Sequence, residues 1–259
     1  MKNLKITLLG TGTSTGVPPL GIDTPVCHSN DPRDKRFRTS ALVETESTRI
    51  LIDCGPDCRQ QLLTQTFKRI DAVLLTHLHY DHVGGLDDLR PFCYQYGDLP
   101  IYCDDKTSSA IHRVMPYSFQ NGKVKGVPSF VVNEIHAGQA FQIGDIEVLP
   151  VTVWHGKMPI LAFRFGRLAY VTDMKTIDDV DLEKLRGVTT LVCNALRFED
   201  PHPTHQLVAD AIEFSRKIGA EQTYFIHLTH EIGFHEEANK KLPNGFSFGF
   251  DGQVIKIKG

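Results

Sequence analysis

Three histidines and an aspartate fall within six consecutive positions, His77-Leu78-His79-Tyr80-Asp81-His82, directly after the apolar run Ala72 to Leu75. A strand ending at that run leaves the polar residues on a loop at its C-terminal edge. Gly84 and Gly85 then permit a sharp turn into the next element. The same pattern recurs three times. Ile146 to Val153 leads to His155, Leu168 to Val171 leads to Asp173, and Thr223 to Ile226 leads to His227. Each is an apolar, strand-like run that delivers one ligand-type residue at its end. Residues at the same end of neighbouring strands meet in one cleft, so the chain is expected to build sheets whose C-terminal edges converge. Imidazole and carboxylate suit zinc, manganese or iron. Five histidines (His77, His79, His82, His155, His227) and two aspartates (Asp81, Asp173) exceed what one tetrahedral zinc uses. They suit two divalent ions with a bridging carboxylate, roughly 3.5–4 Å apart, sharing a hydroxide as nucleophile.

The remaining pattern mixes β-runs with helices. Strands are expected at Leu4 to Leu9, Ala41 to Glu44, Arg49 to Ile52, Ala72 to Leu75, Phe130 to Val132, Ala140 to Ile143, Ile146 to Val153, Ile160 to Phe165, Leu168 to Val171, Thr190 to Cys193 and Thr223 to Ile226. Helices are expected at Pro56 to Thr64, Asp104 to Val114, Asp178 to Leu185, Thr204 to Ile218 and Glu236 to Lys241, with Gly219 ending the longest. Gly144-Asp145 and Gly166-Arg167 suit tight hairpins, and Asp251-Gly252 reads as the turn of a last hairpin between Ser247 to Phe250 and Gln253 to Ile257. This α/β order fits two sheets packed face to face with helices outside. Periodicity alone also permits a doubly wound sheet.

The 259 residues suffice for one α/β domain spanning 1–259, and no repeat or linker divides them. A formal net charge of −3 gives no electrostatic footprint for non-specific nucleic-acid binding. No signal peptide is visible, and no apolar stretch approaches the length that crosses a bilayer. Cys27, Cys54, Cys58, Cys93, Cys103 and Cys193 are scattered without Cys-x-x-Cys spacing, so they read as reduced, buried thiols, and the cytoplasm is the expected compartment.

The segment Thr76 to Gly85 resembles the signature of the metallo-β-lactamase superfamily. The resemblance runs in order through Ile52-Asp53-Cys54-Gly55, His77 to His82, His155, Asp173 and His227. It implies a four-layer αββα sandwich with a dimetal site at one edge. It also implies that His77, His79 and His155 hold one metal, that Asp81, His82 and His227 hold the other, and that Asp173 bridges them. Zinc or manganese is expected before iron. Asp53 is expected to support the ligands from behind, since ligating imidazoles usually donate their second N–H to a carboxylate or carbonyl.

Further residues narrow the substrate. Leu9-Gly10-Thr11-Gly12-Thr13-Ser14-Thr15-Gly16-Val17-Pro18 resembles the opening of the phosphodiesterase branch, which includes tRNA 3′-processing nucleases and the phosphoribosyl cyclic phosphodiesterase. In that branch a histidine placed like His205 is implied to act as general acid. A departing alkoxide needs a proton, and imidazole suits that task near neutral pH. His202, three residues earlier, reads as a solvent-facing neighbour. In Asp31 to Arg38, a solvated loop is weighed against one in which Arg33, Arg36 or Arg38 reaches a substrate phosphate. Relatives of the cyclic phosphodiesterase also carry a structural zinc site. Here Ile22 and Thr24 replace two of its cysteines and leave only Cys27 and His230, so that zinc is expected to be absent. The expected activity is hydrolysis of a small or cyclic phosphate ester by His205, Asp81 and the dimetal set, with a homodimer left open. The competing readings are a tRNA-processing endonuclease, a thioester or lactam hydrolase, and a non-catalytic metal-binding module.

Overall fold

Many strands read as unbroken apolar runs because both faces of each sheet are covered. In Arg49–Ile52, Ile50 and Ile52 face one core while Leu51 faces another. In Leu168–Val171, Leu168 and Tyr170 enter the core that Ile50 and Ile52 share, while Ala169 and Val171 enter a third. The period-two alternation therefore sorts the buried apolar side chains of these strands into three stacked cores.

The computed structural model describes residues 3–120 and 126–258. Its elements are β1 (Leu4–Gly10), β2 (Ser40–Glu44), β3 (Arg49–Ile52), α1 (Cys58–Leu63), β4 (Ala72–Leu74), α2 (Tyr80–Val83), α3 (Arg90–Tyr96), β5 (Leu99–Cys103), α4 (Asp105–Val114) and β6 (Phe130–Glu134). The second half adds β7 (Phe141–Ile143), β8 (Ile146–His155), β9 (Met158–Phe165), β10 (Leu168–Val171), α5 (Asp179–Leu185), β11 (Thr190–Asn194), α6 (Val208–Ile218), β12 (Gln222–Ile226), α7 (His235–Asn239), β13 (Phe246–Phe248) and β14 (Val254–Ile257). Short 3-10 turns lie between several of them.

The strands form two seven-stranded sheets, in the orders β14-β1-β2-β3-β4-β5-β6 and β13-β12-β11-β10-β9-β8-β7. One core lies between the sheets, and the others lie between each sheet and its outer helices: α1, α3 and α4 on the first, α5, α6 and α7 on the second. This is the four-layer αββα sandwich. The doubly wound alternative is excluded.

Strands β3 to β6 run parallel, as do β10 to β13, and two antiparallel steps through β9 return β8 to the direction of β10. The C-terminal ends of β3, β4, β8, β10 and β12 therefore crowd one edge of the sandwich. The sheets are tied together there: Leu161 N–H donates to Thr76 O at 3.0 Å, and Thr13 N–H donates to Leu228 O at 3.0 Å.

Two expectations need correcting, and two elements were missed. The last two strands are not a hairpin. Strand β13 lies parallel to β12, and β14 lies antiparallel to β1 in the other sheet. Asp251-Gly252 is a crossing point whose bonds go elsewhere, with Gly252 N–H donating to Leu8 O at 2.7 Å and Thr11 Oγ1 to Asp251 at 2.8 Å. The long helix begins at Val208, not Thr204. Gln206 bonds across to Met174 and Leu196, and Asp210 caps the Leu207 N–H at 3.1 Å. His205 thus sits on the loop before α6. Strand β5 and helix α3 were not anticipated, because Pro91 and Pro100 interrupt their periodicity.

Candidate metal centre

Each ligand-type residue leaves a strand at this edge. His155 is the last residue of β8, His227 follows β12, Asp53 follows β3 and Asp173 comes two residues after β10. Asp53, Asp173 and His227 have φ of 58°, 56° and 57°, a left-handed backbone that is uncommon outside glycine. The loop from Thr76 to His82 folds onto the β3–α1 connection. Its close approach requires two glycines, since a Cβ on Gly55 would lie 2.0 Å from Asp81 O and one on Gly85 2.0 Å from Gly55 O.

Two donor sets that share no residue result, each with its ligand atoms within 4.8 Å of one another: His77, His79 and His155, and Asp81, His82, Asp173 and His227. A third combination at the same spacing joins His155 and Asp173, one from each set, to His205. His77 Nε2 and His79 Nδ1 converge at 3.0 Å. His82 Nε2 lies 3.2 Å from Asp81 Oδ2 and 3.4 Å from Asp173 Oδ1, and His227 Nε2 lies 3.1 Å from Asp173 Oδ2. The opposite ring edges are anchored. His82 Nδ1 donates to Asp53 Oδ2 at 2.7 Å, and His155 Nδ1 bonds the carbonyls of Asp173 at 2.8 Å and Thr204 at 3.0 Å. His77 Nδ1 bonds Thr76 Oγ1 at 2.9 Å, and that hydroxyl donates onward to Asp53. Thr76, absent from the sequence-based set, therefore links Asp53, which holds His82 directly, to the His77 ring as well. A hydroxyl immediately before His77 was its only sequence signal.

These donors fit a divalent metal. Buried His82 Nε2 and both His227 ring nitrogens lack a hydrogen-bond partner with good geometry, although carboxylates surround them. Orphaned buried donors of this kind are costly unless something else binds them. The anchoring bonds at Nδ1 of His77, His82 and His155 leave each Nε2 lone pair facing the centre.

Electrostatics agree. Burial would depress His82, but Asp173 and Asp53 outweigh it and hold its pKa well above the usual imidazole value. Burial opposes protonation of His227 too, yet Asp173 and Asp81 raise it to about 9. Burial works against the ionised Asp173, but His227 and His82 hold its carboxyl well below the usual range. Protons on imidazole here occupy the electrostatic role of a cation.

His205 lies against this cluster, its ring centroid 4.7 Å from that of His155 and 4.6 Å from that of His227. Its Nδ1 is buried without a partner, and burial followed by the charge of His227 pushes its pKa down to about 2. Its backbone carbonyl accepts from Lys175 Nζ at 3.1 Å. The three arginines are committed elsewhere. Arg36 is buried, donating to Thr11 Oγ1 at 2.7 Å and Gly249 O at 2.6 Å. Arg38 chelates Asp57, and Arg33 pairs with Asp31 and Glu236. Cys27 bonds Thr24 Oγ1 at 3.2 Å, and neither it nor His230 belongs to the clusters found among the described residues. The six cysteines are free and buried. No described helix is long and apolar enough to cross a membrane.

Comparison with known proteins places this geometry. The beta-lactamase superfamily domain matches residues 48–228. A solved structure described as a new diphosphatase from the PhnP family superposes with a TM-score of 0.91 at 38% identity, covering 98% of this chain and 97% of that one. An octanoyltransferase of Porphyromonas gingivalis is 42% identical over 99% of this chain but only 52% of its own length, so the chain spans about half of that relative. A ribonuclease Z of Methanopyrus kandleri is 26% identical over 88% of this chain and 94% of the relative. With its ligand-type residues in superfamily order at one edge of an αββα sandwich, the chain belongs to the β-lactamase superfamily, in the branch that resembles the PhnP-family diphosphatase and ribonuclease Z.

Proposed function

We propose that the chain is a dinuclear metal-dependent phosphodiesterase acting on a small or cyclic phosphate ester. The observation that carries this reading is Asp173 between the two donor sets, with the His205 ring against their flank. His77, His79 and His155 hold one ion. Asp81, His82 and His227 hold the other, with one Asp173 oxygen facing His82 and the other facing His227. When bound, two divalent ions supply Lewis acidity to the phosphoryl oxygens and a deprotonated water. Asp53 and Thr76 fix the rings of His82 and His77, so the ligand geometry does not reorganise during the reaction. His205 protonates the leaving oxygen. It is neutral in the ligand-free site, and an anionic phosphoryl group beside the ring provides the charge that lets it carry a proton. A small substrate is favoured over a polymer, since the net charge is −3 and Arg33, Arg36 and Arg38 already serve internal partners.

The test joins metal analysis of purified protein to a screen of cyclic phosphates, activated diesters, thioesters and pre-tRNA. About two ions per chain with turnover of small phosphate esters is expected. Faster turnover of thioesters or pre-tRNA rejects the assignment. Two bound ions with no turnover of any ester makes the protein a metal-binding module.

A further inference from the structure

His77, His82 and His155 are each held through Nδ1, but His205 is not. Among the described residues its ring makes no hydrogen bond, and its buried Nδ1 has no partner. The ring only packs, against His155, His227 and His202, with centroids 4.7, 4.6 and 5.0 Å away. Ring packing alone sets direction weakly. The place of the imidazole therefore depends on the backbone that carries it, and that backbone is a loop, not helix α6.

The His205 carbonyl and the Gln206 N–H are opposite polar edges of one planar peptide unit. Gln206 N–H donates to Met174 O at 3.1 Å. His205 O accepts from Lys175 Nζ at 3.1 Å, and no backbone N–H among the described residues reaches it. Two consecutive residues thus grip both edges of the same peptide. Their mount is firm. Asn194, fully buried at the end of β11, accepts from Met174 N–H at 2.8 Å and donates to Met174 O at 2.9 Å. Lys175 N–H donates to Trp154 O in β8 at 2.7 Å. The ammonium of Lys175 also stands 3.9 Å from Asp210 Oδ2, the oxygen that accepts from Leu207 N–H at 3.1 Å. Of the bonds on this peptide, only the one from Lys175 comes from a side chain. Without it, the peptide could turn about its single remaining tie to Met174.

We infer that Lys175 is a positioning residue for the proton donor: by fixing the His205–Gln206 peptide it holds the His205 ring against the donor sets. Lys175 itself touches neither the ligand atoms nor the proton in flight. Its consequence for turnover rests on the phosphodiesterase reading, while its consequence for the place of the ring does not.

Lys175→Met keeps the reach of the side chain and removes the donor. In zinc-loaded, histidine-labelled protein, nuclear Overhauser contacts from the His205 ring to those of His155 and His227 are expected in wild type and are lost or weakened in the variant, with both zinc ions retained. On esters with poor leaving groups kcat falls about 10- to 100-fold, the order expected when a reacting group is misplaced by about 1 Å, while KM is unchanged. Activated esters, whose leaving groups depart without a proton, are little affected. In a His205→Ala background Lys175→Met costs less than about twofold more, because both changes act through one group. Unchanged ring contacts in Lys175→Met, an equal loss on poor and activated leaving groups, or the whole loss repeated in the His205→Ala background overturns the inference. The ring contacts are read without substrate, so their loss upholds the inference even if wild type hydrolyses no phosphate ester, a result that faults the phosphodiesterase reading alone.

Discussion

Replacing Asp53 by asparagine exchanges one carboxylate oxygen for an amide NH₂ and should weaken the hold on one metal. The fully buried carboxylate accepts four contacts: Thr76 N–H at 2.8 Å, Thr76 Oγ1 at 3.1 and 2.9 Å, and His82 Nδ1–H at 2.7 Å. Asparagine offers one accepting oxygen and one donating NH₂. If the oxygen stays on Thr76 N–H, the NH₂ meets His82 Nδ1. His82 must then accept there and move its proton to Nε2, the atom that faces Asp81 and Asp173. A protonated Nε2 cannot bind a metal. If the amide flips, two N–H groups face each other in a buried space, at about 1–3 kcal/mol. Either way Asp53→Asn should fold and lose about 10- to 100-fold in affinity for one of two ions, or about 1.4–2.7 kcal/mol. Chelator competition measures both dissociation constants, and imidazole ¹⁵N shifts report the His82 tautomer. Two unchanged affinities with His82 still protonated on Nδ1 in the variant would refute the reasoning, because no route would connect Asp53 to the metal.

Three other perturbations probe the same edge. His205→Ala should retain both metals while losing about 10²–10⁴-fold of turnover on esters with poor leaving groups, and far less on activated ones. Equal turnover of variant and wild type on poor leaving groups rejects the proton-donor role. In the metal-free protein His227 rises from 6.5 to about 9, so its contribution to stability is complete below pH 6.5 and disappears as pH rises through 9. Urea denaturation of that form should therefore lose about 3 kcal/mol between pH 6.5 and 9.5, while the metal-loaded form changes little; a flat metal-free profile contradicts the charge assignment. Gly55→Ala places a Cβ 2.0 Å from Asp81 O. Displacement of that loop should cost about 1–3 kcal/mol and lower metal content, and calorimetry showing an unaltered midpoint removes the claim of close contact.

That the seven ligand-type residues converge was legible because four of them stand in one loop after an apolar run and the other three each follow a run of their own, and periodicity survives in one sequence without any partner. What was illegible depends on partners far along the chain. The Asp251-Gly252 turn has hairpin chemistry, but its hydrogen bonds go to Leu8 and Thr11. No local pattern announces a strand that changes sheets. His205 was legible as a residue and not as a position. Apolar spacing extended α6 backward to Thr204, whereas the backbone of Gln206 is held by Met174 and Leu196. Arg36 looked like a surface cation because its companions Thr11, Gly249 and His235 lie 25, 213 and 199 residues away.

The backbone at the edge explains why aspartate and histidine can stand where they do. A side chain on a continuing strand alternates between the two faces of the sheet and never points along the strand axis. To aim over the edge, the chain must turn sharply as the strand ends, which Asp53, Asp173 and His227 accomplish with positive φ. Such conformations cost about 1–3 kcal/mol each and persist only where surrounding structure over-determines them. Aspartate and histidine are among the side chains that tolerate the left-handed region best, so the residues with metal-binding chemistry also bear this geometry at least expense in energy. Neighbouring strand ends over-determine them: Asp53 N–H is tied to Leu74 O at 2.9 Å, Met174 N–H to Asn194 Oδ1 at 2.8 Å, and Leu228 N–H to Thr11 O at 2.9 Å. Each bond anchors a strained residue or its neighbour to another strand end. The donor positions are therefore set by the packing of two sheets before any ion arrives, and the protons that His82 and His227 hold meanwhile are the charge that a metal replaces.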